Sequence, residues 1–256
     1  MNLNMSRYLI LITDYKSPSQ RARVLTEAWS AENLWCPSCE GQLTSLPPNS
    51  RTSDFVCGNC GEFYQLKSKS KPFGKKIVGA HYITTIQAIN NGCHPSLILL
   101  QYDASNLFIT NIKILHRSWI TEQNIVPRPP LSSQARRAGW QGCLIFLDKI
   151  PSKAFVVMVQ DGVVSPISLV RAQWNTAHSV SSLSLTRRGW LSLILRIIES
   201  FPLEFSLQEI YAYAHIFAQS HPENKNIKAK IRQQLQIARD LGLIEFIGQG
   251  FYRRVL

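Results

Sequence analysis

In the first part of the chain, apolar positions alternate between helical and strand-like spacing. Residues 17–30 have helical spacing, with Ser19 as the predicted N-cap and an apolar stripe at Val24, Leu25, Ala28 and Trp29. A second helix is predicted at residues 80–89. Runs rich in β-branched and aromatic residues predict strands at 54–57, 62–69, 96–102, 106–115, 143–147 and 155–160. This mixture predicts an α/β domain over residues 1–180.

The pattern changes after a serine-rich stretch at residues 175–185, which we interpret as a linker. The next helix has an apolar face at Trp190, Ile194, Ile197 and Ile198. A second helix is predicted to begin with a capping box from Ser206 to Glu209. The third is predicted to end at Gly242, and its apolar repeat is Ile227, Ile231, Leu235 and Ala238. Three helices followed by a hairpin predict a winged helix over residues 181–256.

The charge balance indicates the class of partner. The net charge is +12 at pH 7, so an acidic polymer is the first partner to consider. No apolar run approaches the ~18 residues of a membrane span, which favours nucleic acid over membrane. The apolar stretch "YLILIT" is shorter than a signal sequence requires and is followed by Asp14. We expect a monomeric protein of the bacterial cytoplasm.

Four of the six cysteines form two C-x-x-C pairs, Cys36 with Cys39 and Cys57 with Cys60. Pairs of this kind in a reducing compartment favour a closed, four-cysteine structural zinc site over disulfide or redox use. Such a zinc ion is expected to hold the turn of the predicted hairpin around residues 57–60. The two remaining cysteines, Cys93 and Cys143, are expected to be buried free thiols.

The strands that flank the second pair carry a candidate metal site for catalysis. Asp54 lies on one strand, and Gln65 and Lys67 lie two residues apart on the next, so these two share a face. Asp54, the Gln65 side-chain oxygen and the Leu66 carbonyl are hard ligands suited to Mg²⁺. Lys67 would then lie beside the attacking water and the phosphate oxygens. An exposed polar strand edge is the alternative interpretation of these residues.

Several motifs together resemble the DpnI-type methyl-directed restriction endonucleases, a family also called Dam-replacing. They are "YKSPSQRARVLTEAW", "CPSC", "DFVCGNCGEFYQLKSK", "ARRAGWQGC", "VQDG", "KIRQQLQIARD" and "IEFIGQGFYR". The resemblance covers nearly the whole chain. It implies a PD-(D/E)xK nuclease domain with an embedded zinc site and a C-terminal winged helix. It also implies Mg²⁺-dependent cleavage of double-stranded DNA at GATC sites methylated at adenine N6.

One residue departs from the family pattern. Asp54 and Lys67 match the family's catalytic residues, whereas Gln65 stands where the family has Glu. Glutamine keeps the oxygen but not the charge, so we expect a weaker metal site that is still functional. Glu62 is expected to point to the opposite face of the strand. Glu27, on the first helix, is the better candidate for an additional acid.

Methyl recognition is expected in two places. The resemblance implies that Trp140 contributes to the methyladenine pocket, with Arg136 and Arg137 on phosphates or guanine edges; core packing is the alternative for Trp140. In the third C-terminal helix, an outward Gln and Arg mixture favours contacts with bases over a merely solvated face. These residues are Lys228, Arg232, Gln233, Gln236 and Arg239. The hairpin supplies further DNA-backbone contacts from Gln249, Tyr252 and Arg253, with Arg254 beside them.

Two other functions are compatible with parts of the sequence. A non-cleaving methyl-GATC binding protein, with a regulatory role, is favoured by Gln65 and opposed by the presence of Asp54 and Lys67. A zinc-ribbon transcription factor unrelated to methylation is opposed by "ARRAGWQGC". The leading hypothesis is a methylation-dependent restriction endonuclease.

Overall fold

The computed structural model describes residues 1–47, 50 and 52–255, with an α/β part followed by a C-terminal helical part. The helices are α1 (Pro18–Asn33), α2 (Tyr82–Asn90), α3 (Ile167–His178), α4 (Leu185–Ile198), α5 (Leu207–Ala212), α6 (Ala214–Ser220) and α7 (Ile227–Asp240). The strands are β1 (Leu43–Ser45), β2 (Phe55–Cys57), β3 (Phe63–Lys69), β4 (Lys76–His81), β5 (Ser96–Asp103), β6 (Phe108–Leu115), β7 (Ile125–Pro127), β8 (Gly142–Phe146), β9 (Phe155–Gln160), β10 (Val163–Val164), β11 (Glu204–Ser206), β12 (Ile244–Gly248) and β13 (Phe251–Arg254). The α/β class predicted from the sequence is confirmed.

A seven-stranded sheet forms the centre of the α/β part, in the order β1-β2-β3-β5-β6-β9-β10. Residues 96–100 of β5 are buried on both faces, because this strand lies inside the sheet and carries a continuous apolar run. β3 and β5 pair in parallel, with Gln65 opposite Leu97. A parallel pair requires a crossover, which β4 and α2 supply. β5 thereby fixes one side of β3 along its whole length.

Helix α1 packs beside β3. It begins at Pro18 with Ser17 in the N-cap position, so the prediction of Ser19 as the cap is wrong. Proline suits the first helical position because an N–H there would lack an intrahelical partner. Trp29, in the predicted apolar stripe, is fully buried. Thr26 Oγ1 lies 3.0 Å from Ser68 Oγ on β3, and this contact fixes the helix against the strand.

A second, three-stranded sheet has the order β4-β8-β7. β4 was not predicted from the sequence, because Gly79, at one of its two buried positions, adds no side chain to the apolar pattern. Gly79 on β4 lies so close to Cys143 on β8 that an added Cβ would be 2.4 Å from the Cys143 sulfur. Cys143 is buried, as predicted, whereas Cys93, which follows the end of α2, is exposed, so that prediction is wrong.

Most of the serine-rich stretch interpreted as a linker is helical and packs against the rest of the protein. α3 continues to His178 and is followed by a 3₁₀ turn at Ser179–Ser182. The Trp119 indole N–H donates to the Ala177 carbonyl at 2.9 Å, and the hydroxyls of Ser118 and Ser181 lie 2.7 Å apart. Serine favours caps and turns by local hydrogen bonding, and here these tertiary contacts stabilise helical structure instead. Residues 175–182 of the predicted linker are therefore helical and packed.

The C-terminal part contains α4 to α7 and a sheet with the order β11-β13-β12. The second predicted helix is divided into α5 and α6, and β11 is an additional strand. The predicted capping box is present, with Ser206 and Glu209 each bound to the other's backbone N–H. α7 ends at Asp240, and the predicted terminating glycine, Gly242, follows the C-cap residue Leu241 with a positive φ of 68° that suits glycine. Among the described helices, none combines the length and the apolarity needed to cross a lipid bilayer.

Candidate functional site

The four paired cysteines come together in one cluster. Their sulfur atoms all lie within 4.8 Å of one another, with 3.6 Å between Cys36 and Cys60 and 3.4 Å between Cys39 and Cys57. Zn–S bonds of about 2.3 Å in a tetrahedron place sulfur atoms about 3.8 Å apart, whereas a disulfide needs about 2.05 Å. The cluster therefore has the donor set and the spacing for a zinc ion.

The backbone around the cluster favours thiolates. Burial alone would raise the pKa of Cys57, but the backbone N–H groups of Asn59 and Cys60 oppose this effect and lower that pKa to about 7. Burial raises the pKa of Cys36, although the Tyr64 hydroxyl and backbone N–H groups oppose the increase. A bound cation would favour the charged form of every cysteine in the cluster.

Asp54 lies one residue before β2 rather than within it. Its backbone N–H donates to the Tyr64 carbonyl at 2.8 Å, and its Oδ2 accepts the Leu66 N–H at 2.7 Å. Burial raises the pKa of Asp54, an effect opposed by the Leu66 N–H and by the positive charges of Lys67 and Arg23. Two hydrogen bonds thus hold the acid against the edge of β3.

The structure brings the other predicted catalytic residues to the same edge. Gln65 and Lys67 lie on one face of β3, because they alternate with the buried Tyr64 and with Leu66. The N–H and C=O of a strand residue point to the same side, so the Leu66 carbonyl faces the side from which Asp54 approaches. Burial lowers the pKa of Lys67, and the charge of Asp54 opposes that decrease.

A second acid, Glu27 on α1, lies close to Asp54. Both line a cleft of about 90 Å³, together with Arg23. Arg23 Nε lies 3.7 Å from Glu27 Oε1. Burial raises the pKa of Glu27; the Arg23 charge opposes this increase, and the nearby Asp54 charge adds to it. Glu62, by contrast, is engaged elsewhere: its Oε1 lies 3.2 Å from Arg117 Nε.

Trp140 lies in the loop that enters β8 and is half-buried. Its ring covers Gly142, where an added Cβ would approach to 2.9 Å. Arg136 and Arg137 are exposed in the same loop and line an open cavity of about 450 Å³. Three residues beyond Trp140, the buried Cys143 lies near Lys67, whose positive charge opposes the rise in the Cys143 pKa that burial causes. β8 therefore connects the Trp140 loop with the Asp54 site.

In the C-terminal part, α7 presents the predicted polar face. Its apolar repeat is buried at Ile231, Leu235 and Ala238, which anchors the helix against α4. The five polar residues predicted to contact bases are all exposed: Lys228, Arg232, Gln233, Gln236 and Arg239. Gln234 is fully buried on the opposite face. This exposed face combines three basic side chains with two glutamines, a composition that suits contacts with nucleic acid.

Comparison with protein-family models gives two matches. Residues 1–183 match the Dam-replacing family, also designated DpnI, and residues 186–254 match the Dam-replacing HTH domain. The chain belongs to the Dam-replacing family. The resemblance inferred from the motifs is thereby confirmed. The family supports a methylation-dependent protein that acts on DNA, and its HTH domain, which contains α7, supports DNA binding.

In the hairpin of this Dam-replacing HTH domain, most of the side chains predicted to contact DNA also make contacts within the protein. Gln249 is exposed at the turn. Tyr252 is half-buried and stacks on Phe205, with 5.7 Å between ring centroids. The guanidinium of Arg253 pairs with Glu204 at 2.7 Å, and that of Arg254 donates to a backbone carbonyl of the α4 end at 3.0 Å. Apart from Gln249, the hairpin residues predicted to contact DNA also stabilise the wing itself.

Proposed function

We propose that this Dam-replacing protein is a Mg²⁺-dependent, type II site-specific deoxyribonuclease. Its proposed substrate is double-stranded DNA with N6-methyladenine in GATC sites. The observation that carries the proposal is the attachment of Asp54 to β3 through the Leu66 N–H, between Gln65 and Lys67. An acid and a lysine at one strand edge match the PD-(D/E)xK pattern, with the amide oxygen of Gln65 in place of its second acid.

The residues at this edge fit a magnesium ion. Asp54 offers a carboxylate, and Gln65 and Leu66 would add neutral oxygen donors, all of them hard ligands. When bound, Mg²⁺ activates water and neutralises charge that develops on the phosphate. Lys67 would hold the attacking water and a phosphate oxygen through its ammonium group. Lys67 is half-buried, and the Asp54 charge favours its ammonium form.

DNA recognition is proposed to use two surfaces. In the nuclease domain, proposed as residues 1–180, Trp140 would pack its ring against the adenine N6-methyl group, an apolar projection in the major groove. The exposed Arg136 and Arg137 would bind phosphates or guanine edges. In the winged helix, proposed as residues 181–256, the polar face of α7 would enter the major groove and Gln249, Tyr252 and Arg253 would contact the backbone.

Structural zinc in the four-cysteine cluster is proposed to support the Asp54 site. β2 joins Asp54 to Cys57, and the turn to Cys60 leads into β3. A zinc ion that fixes this turn would limit the distance between Asp54 and Lys67. We further propose that the protein is a monomer in solution and acts on DNA in the bacterial cytoplasm.

A second candidate function is a non-cleaving, regulatory methyl-GATC binding protein. Gln65 favours it, because replacement of an anionic ligand by a neutral one weakens the attraction for Mg²⁺. Glu27 opposes it, because it places a second carboxylate in the Asp54 cleft. The two functions can be distinguished by one observation, because only a nuclease cleaves the methylated DNA that it binds.

The test uses the variants Asp54→Ala and Lys67→Ala with a methylated plasmid, Mg²⁺ and a gel-shift assay in parallel. Each variant should cleave at least about 100-fold more slowly than the parent protein, because a metal ligand or a transition-state cation is lost. Binding to methylated duplex should be largely retained, because Trp140 and α7 are unchanged. If Asp54→Ala cleaves as fast as the parent, the active site is misplaced.

A further inference from the structure

Tyr64 connects the cysteine cluster with the strand that carries Gln65 and Lys67. Its side chain is fully buried. The hydroxyl oxygen lies 3.0 Å from Cys36 Sγ, and when the sulfur is a thiolate the phenol is the donor, because a thiolate has no proton to give. Tyr64 is thus in contact with a candidate zinc ligand, although it follows Cys36 by 28 residues.

The same residue also contacts Asp54. The Tyr64 carbonyl accepts the Asp54 N–H at 2.8 Å, and Tyr64 is paired with Phe55 where β2 meets β3. Its ring packs against Trp174, with 6.2 Å between centroids. The side chain therefore joins the cluster to the sheet, and the backbone of the same residue joins Asp54 to β3.

We propose that Tyr64 is a positioning residue of the metal cluster: its hydroxyl donates a hydrogen bond to the Cys36 thiolate and retains the metal. This inference rests on the proposed zinc site. An O–H donor lowers the negative charge on a metal-bound sulfur and makes the sulfur less prone to protonation and release. Without the Tyr64 hydroxyl, the buried Cys36 thiolate would lack this hydrogen bond, and burial of a charged group without a hydrogen-bond partner costs free energy.

The test compares the full-length Tyr64→Phe variant with the parent protein. Phenylalanine keeps the ring that packs on Trp174 and removes only the hydroxyl. Tyr102→Phe is the matched control, because Tyr102 is also a buried tyrosine of this sheet. It lies six residues along β5 from Ser96, the partner of Tyr64, and six residues of a strand span about 20 Å.

Two measurements separate an effect on the metal from a general loss of stability. Zinc transfer to a chromogenic chelator should be at least about tenfold faster for Tyr64→Phe than for the parent, in line with the effect of removing hydrogen-bond partners of metal ligands. In the cobalt(II)-substituted proteins, the sulfur-to-cobalt charge-transfer band should move to longer wavelength in Tyr64→Phe. Tyr102→Phe should match the parent in both.

The outcomes distinguish this inference from the zinc proposal. If the parent holds zinc but Tyr64→Phe releases it within about twofold of the parent rate, with an unchanged cobalt spectrum, the role of Tyr64 is refuted and the zinc site stands. If the folded parent protein contains no zinc and takes up no cobalt, both are refuted.

Discussion

The buried His116 gives the α/β part a defined sensitivity to acid. Its side chain is fully buried, its Nδ1 accepts the Ser118 N–H at 3.2 Å, and its ring meets Trp174 edge-on at 4.6 Å. Burial lowers the pKa of His116 from 6.5 to about 3, and the charges of His178, Arg117 and Arg188 add to the decrease. The folded protein therefore holds this imidazole neutral.

The sign and the size of the effect follow from this pKa. Stability from the neutral His116 is fully present above pH 6.5 and is lost as the pH falls from 6.5 towards 3, because the unfolded chain takes up the proton first. Between pH 7.5 and pH 5.0 the loss is about 2 kcal/mol. This loss of stability depends little on the pKa of His116 in the folded protein, provided that this pKa lies below about 4. A loss of about 2 kcal/mol is a large part of the stability of an ordinary domain.

The assay is urea unfolding followed by tryptophan fluorescence at the two pH values, for the parent and for His116→Asn. Asparagine offers an oxygen that can accept the Ser118 N–H but does not titrate. The variant should be less stable at both pH values because its smaller side chain leaves a cavity. Its stability should fall by about 2 kcal/mol less than that of the parent on acidification.

The comparison between variants removes opposing contributions, such as those of Asp54 and Glu27, whose raised pKa values act in the other direction. His215→Asn, at an exposed position in α6, is the matched control and should follow the parent. If the free energy of unfolding falls by the same amount in His116→Asn and in the parent between pH 7.5 and pH 5.0, His116 is not held neutral and the prediction is refuted.

Three further predictions concern the site. Freshly purified protein should carry about one zinc ion per chain by metal analysis, and Cys57→Ser should lose it; a metal-free, folded parent would contradict this. Gln65→Glu should lower the Mg²⁺ concentration needed for half-maximal cleavage, because it restores an anionic ligand; an unchanged or higher requirement would count against Gln65 as a ligand. Trp140→Ala should reduce the methylated-to-unmethylated binding ratio by about fivefold, since one buried methyl group contributes about 1 kcal/mol, whereas Arg136→Ala should weaken binding to both DNAs alike. An unchanged ratio in a folded Trp140→Ala protein would make Trp140 a packing residue.

Local patterns in the sequence were sufficient to predict most of the elements that position the site. α1 has apolar residues at helical spacing, β3 begins with two aromatic residues, β5 is a nearly continuous apolar run, and the two C-x-x-C pairs have the spacing of a zinc site. The capping box at Ser206 and the glycine at 242 are local signals, and both are present. Interactions between residues close together in the chain determine these features, so they can be predicted from a short stretch of sequence.

Features that depend on tertiary contacts were missed. Residues 175–182 are helical because Trp119 and Ser118, distant in sequence, bind them. β4 alternates exposed and buried positions, but Gly79 occupies one of its two buried positions and gives the sequence no apolar side chain there. Glu27 was named from the sequence as a candidate acid, but its place beside Asp54 could not be derived, because it depends on how α1 packs against β3. The contact between Tyr64 and Cys36 depends on the folding of the whole cysteine region.

The most direct test of the account is cleavage of one plasmid in two forms, with and without N6-methyladenine in its GATC sites. The parent protein and Mg²⁺ should convert the methylated plasmid into fragments whose ends map to GATC, and leave the unmethylated plasmid intact. Addition of a chelator for Mg²⁺ should stop the reaction. Binding of the methylated plasmid without any cleavage would contradict the nuclease proposal, and equal cleavage of both forms would contradict methylation dependence.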